Sequence, residues 1–266
     1  MRPTAVHVRP AAVAGAFYPA DRGRLASLVD GLLAEASRPI QGSQPVALVV
    51  PHAGYAYSGA VAATAYAGLR RHRQTIRRVA IIGPAHFVRL RGVAVPEADV
   101  WATPLGELAI DAELRDLAIA AGAVVDDRPH APEHSIEVQL PFLQRVLPDG
   151  PSILPIAVIG LPAEAVADLI GRLRQVADLL IVSTDLSHEQ PDDVARRLDR
   201  RTLHAAIGRD PSALEPDAAC GFDGLRGVVE LARRERLDVT VLDQRTSAEA
   251  GGGTGSVVGY AAVAIG

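Results

Sequence analysis

Lysine is absent from this chain: all 27 basic residues are arginine. That excludes a Schiff-base lysine and the phosphate-binding lysine of a Walker loop. Cysteine is almost absent too. Cys220 stands alone, so no internal disulfide can form, as suits a reducing compartment. Neither sign of charge dominates. The net charge is −4 and the pI about 6.1, so no basic surface for nucleic acid is implied. No apolar run reaches the length of a membrane span, and the opening residues MRPTAVHVRP lack the apolar core of a signal peptide. A soluble cytoplasmic protein with no membrane partner is expected. The C-x-x-C, H-E-x-x-H, G-x-G-x-x-G, Walker and G-x-S-x-G patterns are also missing, so no nucleotide cofactor and no serine-hydrolase elbow is indicated.

What is present is core-forming material. Of 266 residues, 48% are hydrophobic, enough for one large α/β domain or two small ones. The stretch Val46–Ala60, VALVVPHAGYAYSGA, organises the rest. Its apolar run suits a buried strand, the Pro-His-Ala-Gly segment a tight turn, and Ser58–Leu69 a following helix. Val79–His86 (VAIIGPAH) and Leu179–His188 (LLIVSTDLSH) repeat the arrangement. Val46–Val50, Val79–Ile82 and Leu179–Val182 are therefore expected as central strands. Open α/β sheets place their chemistry beyond the carboxyl ends of such strands.

Elsewhere, Asp21 is expected to cap a helix reaching about Ala36, and Pro39–Pro45 reads as a linker. Val93–Val95 and Val100–Ala102 read as short strands, Thr103–Gly106 as a turn, and Glu107–Ala121 as a helix. Glu133–Leu147 reads as another helix, kinked or divided by Pro141. A strand over Ile153–Ile159 precedes a helix from Pro162 to about Val176. Pro191–Ile207 is helical, Cys220-Gly221 opens a helix to about Arg236, and Val239–Leu242 and Val257–Val263 close the sheet around a Gly251–Gly253 turn. With no repeated unit and no clear domain boundary, the expectation is one α/β domain over residues 1–266, with a central, mostly parallel sheet flanked by helices.

Three of the eight histidines, His52, His86 and His188, leave strand ends. That makes each a candidate ligand or acid–base group, against the ordinary reading of a structural histidine. His134 sits in EHSIEVQLPF, with Glu133 and Glu137 close by; it could orient a ligand or donate a proton, or simply hold a helix to a loop. Asp185 could orient a histidine or cap a turn. Cys220 follows an acidic loop. If it lay in a helix's first turn, the exposed N–H groups would favour its thiolate, as nucleophile or as a ligand for zinc, copper or iron. Otherwise it is a small buried apolar residue.

The order of RPAAVAGAFYP, VPHAGYAYSGAVAATAY, IIGPAH, TPLGEL, EHSIEVQLPFLQ, STDLSH and Cys220-Gly221 resembles the Memo family, whose bacterial and archaeal members are called AmmeMemoRadiSam system protein B. The resemblance implies an α/β fold shared with the LigB-type, class III extradiol dioxygenases. It implies a pocket in which His52, His86 and Cys220 bind iron(II) or copper, zinc being less favoured, for a possible redox or dioxygenase-like reaction on a small molecule. His134 and His188, with Asp185, then fall to acid–base or orienting roles. The related dioxygenases carry a glutamate where Cys220 stands, a departure from ordinary ring cleavage. Genomic association in the family implies radical-SAM and AMMECR-type proteins as partners. Against this stand a metal-independent cysteine hydrolase, using Cys220 with His188 or His134, and a non-catalytic binding or scaffold protein.

Overall fold

Alternate residues of three buried strands feed two different cores. In β2 (Ala47–Val50), Leu48 and Val50 pack on one face of the sheet and Ala47 and Val49 on the other. β3 (Arg78–Gly83) divides in the same way, with Val79 and Ile81 against Ala80 and Ile82. So does β9 (Leu179–Ser183), with Leu179 and Ile181 against Leu180 and Val182. Two-sided burial is why these strands are continuous apolar runs rather than alternating ones. The computed structural model describes residues 6–36, 42–147, 149–251 and 253–266; part of the expected Pro39–Pro45 linker and Gly252 of the glycine turn lie outside the described residues.

The remaining strands are β1 (Val8–Arg9), β4 (Gly92–Val95), β5 (Val100–Thr103), β6 (Gly106–Ala109), β7 (Val124–Val125), β8 (Ser152–Ile159), β10 (Val239–Thr246) and β11 (Gly259–Ile265). Eight strands form the main sheet in the order β10-β11-β2-β9-β3-β8-β4-β7. The inner four, β2, β9, β3 and β8, run parallel, while β11 joins β2 and β4 joins β8 antiparallel. The fold is thus a single-domain α/β fold with a mixed sheet flanked by helices. Pro155 is accommodated inside β8 because its missing N–H faces away from β3. Ile153, two residues earlier and so on the same side, gives its carbonyl to Asp111 N, and β4 pairs only Ala157–Ile159.

Helices α1 (Arg22–Glu35), α2 (Tyr55–Gly68) and α4 (Leu140–Val146) cover one face. Helices α3 (Ala112–Ala120), α5 (Ala163–Leu173), α6 (Asp192–Ile207) and α7 (Phe222–Glu235) cover the other. Asp21 caps α1 by accepting from Arg24 N at 2.8 Å. Two expected helices begin later than the sequence suggests. Gly106–Ala109 is a strand pairing antiparallel with β5, Trp101 opposite Leu108; Asp111, accepting from Leu114 N at 3.0 Å, starts α3. Residues 133–136 are not helical. One 3-10 turn over Glu137–Gln139 leads into α4, because the Glu133 carboxylate takes up the N–H groups of His134 and Ser135 locally, at 3.0 and 2.9 Å.

A second sheet, β1-β5-β6, carries Arg9 inward. Its guanidinium pairs with the fully buried Glu137 and donates to the carbonyls of His130 and Glu133. Glu137 also accepts from Ala12 N, Val13 N and the Tyr18 hydroxyl. It ties the N-terminal segment to the body, its hydrogen bonds going to that segment rather than to His134.

Candidate metal centre

His52 follows β2 by two residues and His86 follows β3 by three; β9 lies between them and supplies Ser183, Thr184 and Asp185. One ring nitrogen each from His52, His86 and His134 lie within 4.8 Å of one another. The His86 and His134 rings stack, with centroids 4.7 Å apart, and both are within 5.3 Å of the His52 ring, which meets each edge-on. His134, expected as a proton-transfer group, therefore sits with the candidate ligands.

Hydrogen bonds fix which nitrogens are available. The Ser183 hydroxyl gives its proton to Ser135 O at 2.6 Å and accepts from Gln139 Nε2 at 2.9 Å. Toward His52 Nδ1, 3.0 Å away, it can only accept, so Nδ1 carries the proton and Nε2 the lone pair. His86 Nδ1 donates to Glu133 Oε1 at 2.9 Å while its main-chain N–H meets Oε2 at 2.7 Å. With Nδ1 so engaged, Nε2 is the His86 nitrogen left to face a ligand. His134 Nδ1 has no hydrogen-bond partner, although it is buried and only 3.3 Å from Glu133 Oε1. Three imidazoles with converging ring nitrogens, one nitrogen orphaned, over a buried carboxylate fit a bound cation.

The electrostatics agree. Burial depresses His52 far below the ordinary imidazole range, reinforced by His134 and His86. Burial brings His134 down to about 4, against an upward pull from Glu133. Both rings are neutral at pH 7. Glu133 is wholly buried. Burial pushes its carboxyl up, but the His86 hydrogen bond and charge, with donors from the main chain, outweigh that and hold it at about 2.

Cys220, expected as the third ligand, is not one of the three converging groups but approaches His52 from a distant part of the chain. Its Sγ is 3.0 Å from His52 Nε2 and accepts from Asp185 N at 3.2 Å. It precedes Gly221, the N-cap of α7, and so lies outside the helical first turn in which thiolate stabilisation was expected. Burial and the Asp185 charge push the thiol up to about 12, overriding the nearby N–H donors. Asp185 is buried; its Oδ1 accepts from His52 N at 2.7 Å, fixing the turn after β2 rather than touching an imidazole ring. Burial raises it to about 7. His188 is exposed and donates from Nδ1 to Leu186 O at 2.8 Å. It lines a cavity of about 590 Å³ together with Gln190, Leu198, Arg201, Glu215 and Cys220.

In the sequence Glu133 stands out only as a neighbour of His134, and no motif marks Ser183 or Gln139 as site residues. The signals were a carboxylate directly preceding a histidine and a serine closing an apolar run. Two glycines make the approach possible. A Cβ at Gly83 would meet Ser135 Oγ at 2.7 Å, and one at Gly221 would meet Thr184 Cβ at 2.7 Å and Ser183 O at 2.8 Å. Gly221→Ala should therefore lower stability by about 1–3 kcal/mol and shift Cys220 away from His52. Urea denaturation and thiol alkylation rates measure the two effects; a native alkylation rate would show that the loop absorbs the methyl group without moving the thiol.

The fold and cluster define an α/β protein with a histidine-rich site capable of holding a metal at the carboxyl ends of parallel strands. The chain belongs to the family of Memo-like proteins, whose model matches residues 9–264. Relatives described as MEMO1 family proteins include one from Aeropyrum pernix, 34% identical over 97% of this chain and 99% of its own length. Another, from Thermotoga maritima, is 35% identical over 95% and 97%. The Aquifex aeolicus protein is 38% identical over 75% and 74%. Among solved structures, an uncharacterized protein JW3007 from Escherichia coli K12 superposes with a TM-score of 0.50 at 12% identity, covering 84% of this chain and all of that one; this is a likeness of fold. No helix among the described residues is long and apolar enough to cross a membrane.

Proposed function

We propose that the strand-end cluster is a transition-metal centre for iron(II) or copper, held by the His52 and His86 imidazoles with Cys220 as the adjoining thiolate. His134 is added as a third imidazole. The carrying observation is the convergence of the His52, His86 and His134 ring nitrogens within 4.8 Å, with two Nε2 lone pairs fixed by Ser183 and Glu133. Imidazole and thiolate donors favour iron, copper or zinc over magnesium or calcium. When bound, iron or copper would supply Lewis-acid and one-electron chemistry.

The chain's own groups have separable tasks. Glu133 holds the proton on His86 Nδ1, and Ser183 holds that on His52 Nδ1. His188, beside the cavity, keeps its Nε2 as a proton acceptor for a small-molecule substrate. Asp185 sets the turn that carries His52. The resemblance to LigB-type dioxygenases makes an oxidoreductase the reaction class we favour, in company with radical-SAM and AMMECR-type proteins. A metal-independent cysteine hydrolase is disfavoured, because the imidazole beside the thiol is His52, not His188 or His134, and, without a metal, burial pushes the thiol up.

Cys220→Ser tests the thiolate. Copper(I) affinity, measured under reducing conditions, should fall by more than the roughly 10–100-fold that loss of a ligand's supporting partner costs, with the melting temperature little changed. Unaltered copper(I) and iron(II) affinity would remove Cys220 from the ligand set, and retention of metal by His134→Ala would return His134 to a proton-transfer role.

A further inference from the structure

Away from the strand-end cluster, three separate segments bring His7, Glu97 and Asp127 together, one ligand atom from each lying within 4.8 Å of the others. Their main chains are pinned. His7 N donates to Asp99 Oδ2 at 2.8 Å, and Asp99 N donates to His7 O at 2.8 Å. Asp127 Oδ1 accepts from Glu97 N at 2.9 Å and Ala98 N at 3.3 Å. That leaves Asp127 Oδ2 free, 3.6 Å from His7 Nε2. The neighbouring cations are otherwise engaged. Arg128 pairs with Asp126, and Arg115 gives its guanidinium to the Glu97 and Ala98 carbonyls. Among the described residues neither Glu97 nor Asp99 has an ion-pair partner. The Glu97 and Asp127 carboxylates thus meet at one imidazole, His7, whose contact with Asp127 is their one ion pair among the described residues.

We propose that His7, Glu97 and Asp127 form a second, surface metal site for a borderline divalent cation of the zinc type. One imidazole and two carboxylates suit zinc and leave coordination positions for water. With no sulfur donor, the site has no preference for copper(I), which separates it chemically from the Cys220 cluster. Its role follows from where its ligands lie. His7 immediately precedes β1, and Asp127 belongs to the loop after β7. A cation there clips the N-terminal strand to that loop. Two residues further on, Arg9 holds the His130 and Glu133 carbonyls, so the clip braces the support of the strand-end site.

The test uses the full chain carrying His52→Ala and His86→Ala, to silence the inner cluster, and zinc alone as the probe. Equilibrium dialysis should show one equivalent of zinc bound and a melting temperature raised by zinc. Adding His7→Ala, or separately Asp127→Asn, should abolish both. The otherwise native chain gives the same comparison should the doubly substituted background fold poorly: it should bind one zinc more than its His7→Ala variant, with copper(I) stoichiometry equal in the two. Equal zinc stoichiometry with and without His7 would overturn the proposal.

Discussion

Alanine at His52 or at His86 should strip the chain of metal, whereas alanine at His188 should leave the metal stoichiometry near that of the unaltered protein. The difference rests on where the lone pairs lie. His52 and His86 each have Nδ1 committed to a fixed acceptor, Ser183 and Glu133 respectively, and each contributes to the group of ring nitrogens within 4.8 Å. His188 lies outside that group. It is exposed at the cavity wall and fastened by Leu186 O. Its loss should lower turnover of any substrate whose proton it accepts, by about 10²–10⁴-fold, without releasing the metal. Metal analysis of the three purified variants, loaded anaerobically with iron(II) and again with copper(I), makes the comparison. Circular dichroism shows that each is folded. If His188→Ala loses the metal while His86→Ala keeps it, the ligand assignment is wrong.

The largest stability loss should come from a residue with no part in that chemistry. Glu137→Ala is expected to destabilise the fold by about 3–5 kcal/mol, the usual cost of leaving a buried charge unpaired. Arg9 is 5% exposed and Glu137 is fully buried, so neither water nor another acid can replace the lost partner. The N–H groups of Ala12 and Val13 lose their acceptor at the same time. Metal affinity should fall as well, because Arg9 also holds the Glu133 carbonyl next to the carboxylate beneath His86 and His134. Urea denaturation of the variant gives the magnitude; a loss below about 1 kcal/mol, as is typical of exposed pairs, would show that Arg9 finds another partner.

The central strands were legible because two-sided burial leaves unbroken apolar runs, and His52 and His86 were legible because each follows such a run. The misplaced helices had local causes. Gly106–Ala109 carries too little alternation to separate a short strand from a helical turn, and what settles it is pairing with Val100–Thr103. Glu133 reads as a helix residue until its carboxylate is seen to collect His86, His134 and Ser135 donors, one of them 47 positions away in sequence. Glu137, at helical spacing from His134, was weighed as its chemical partner. Its real partner, Arg9, is set by a sheet pairing, β1 with β5, that two residues of strand cannot announce. Which of its two readings Cys220 takes was equally hidden, since its surroundings depend on Thr184 and Asp185, just after β9 and far upstream.

His52 and Cys220 meet across 168 positions of chain, and β2, which carries His52, is flanked by β9 on one side and β11 on the other. Contacts of such long range form only after the intervening loop entropy has been overcome. During synthesis the first histidine therefore emerges long before its sulfur neighbour exists. The cluster is among the last features to assemble, and metal acquisition belongs to the nearly finished fold rather than to the nascent chain.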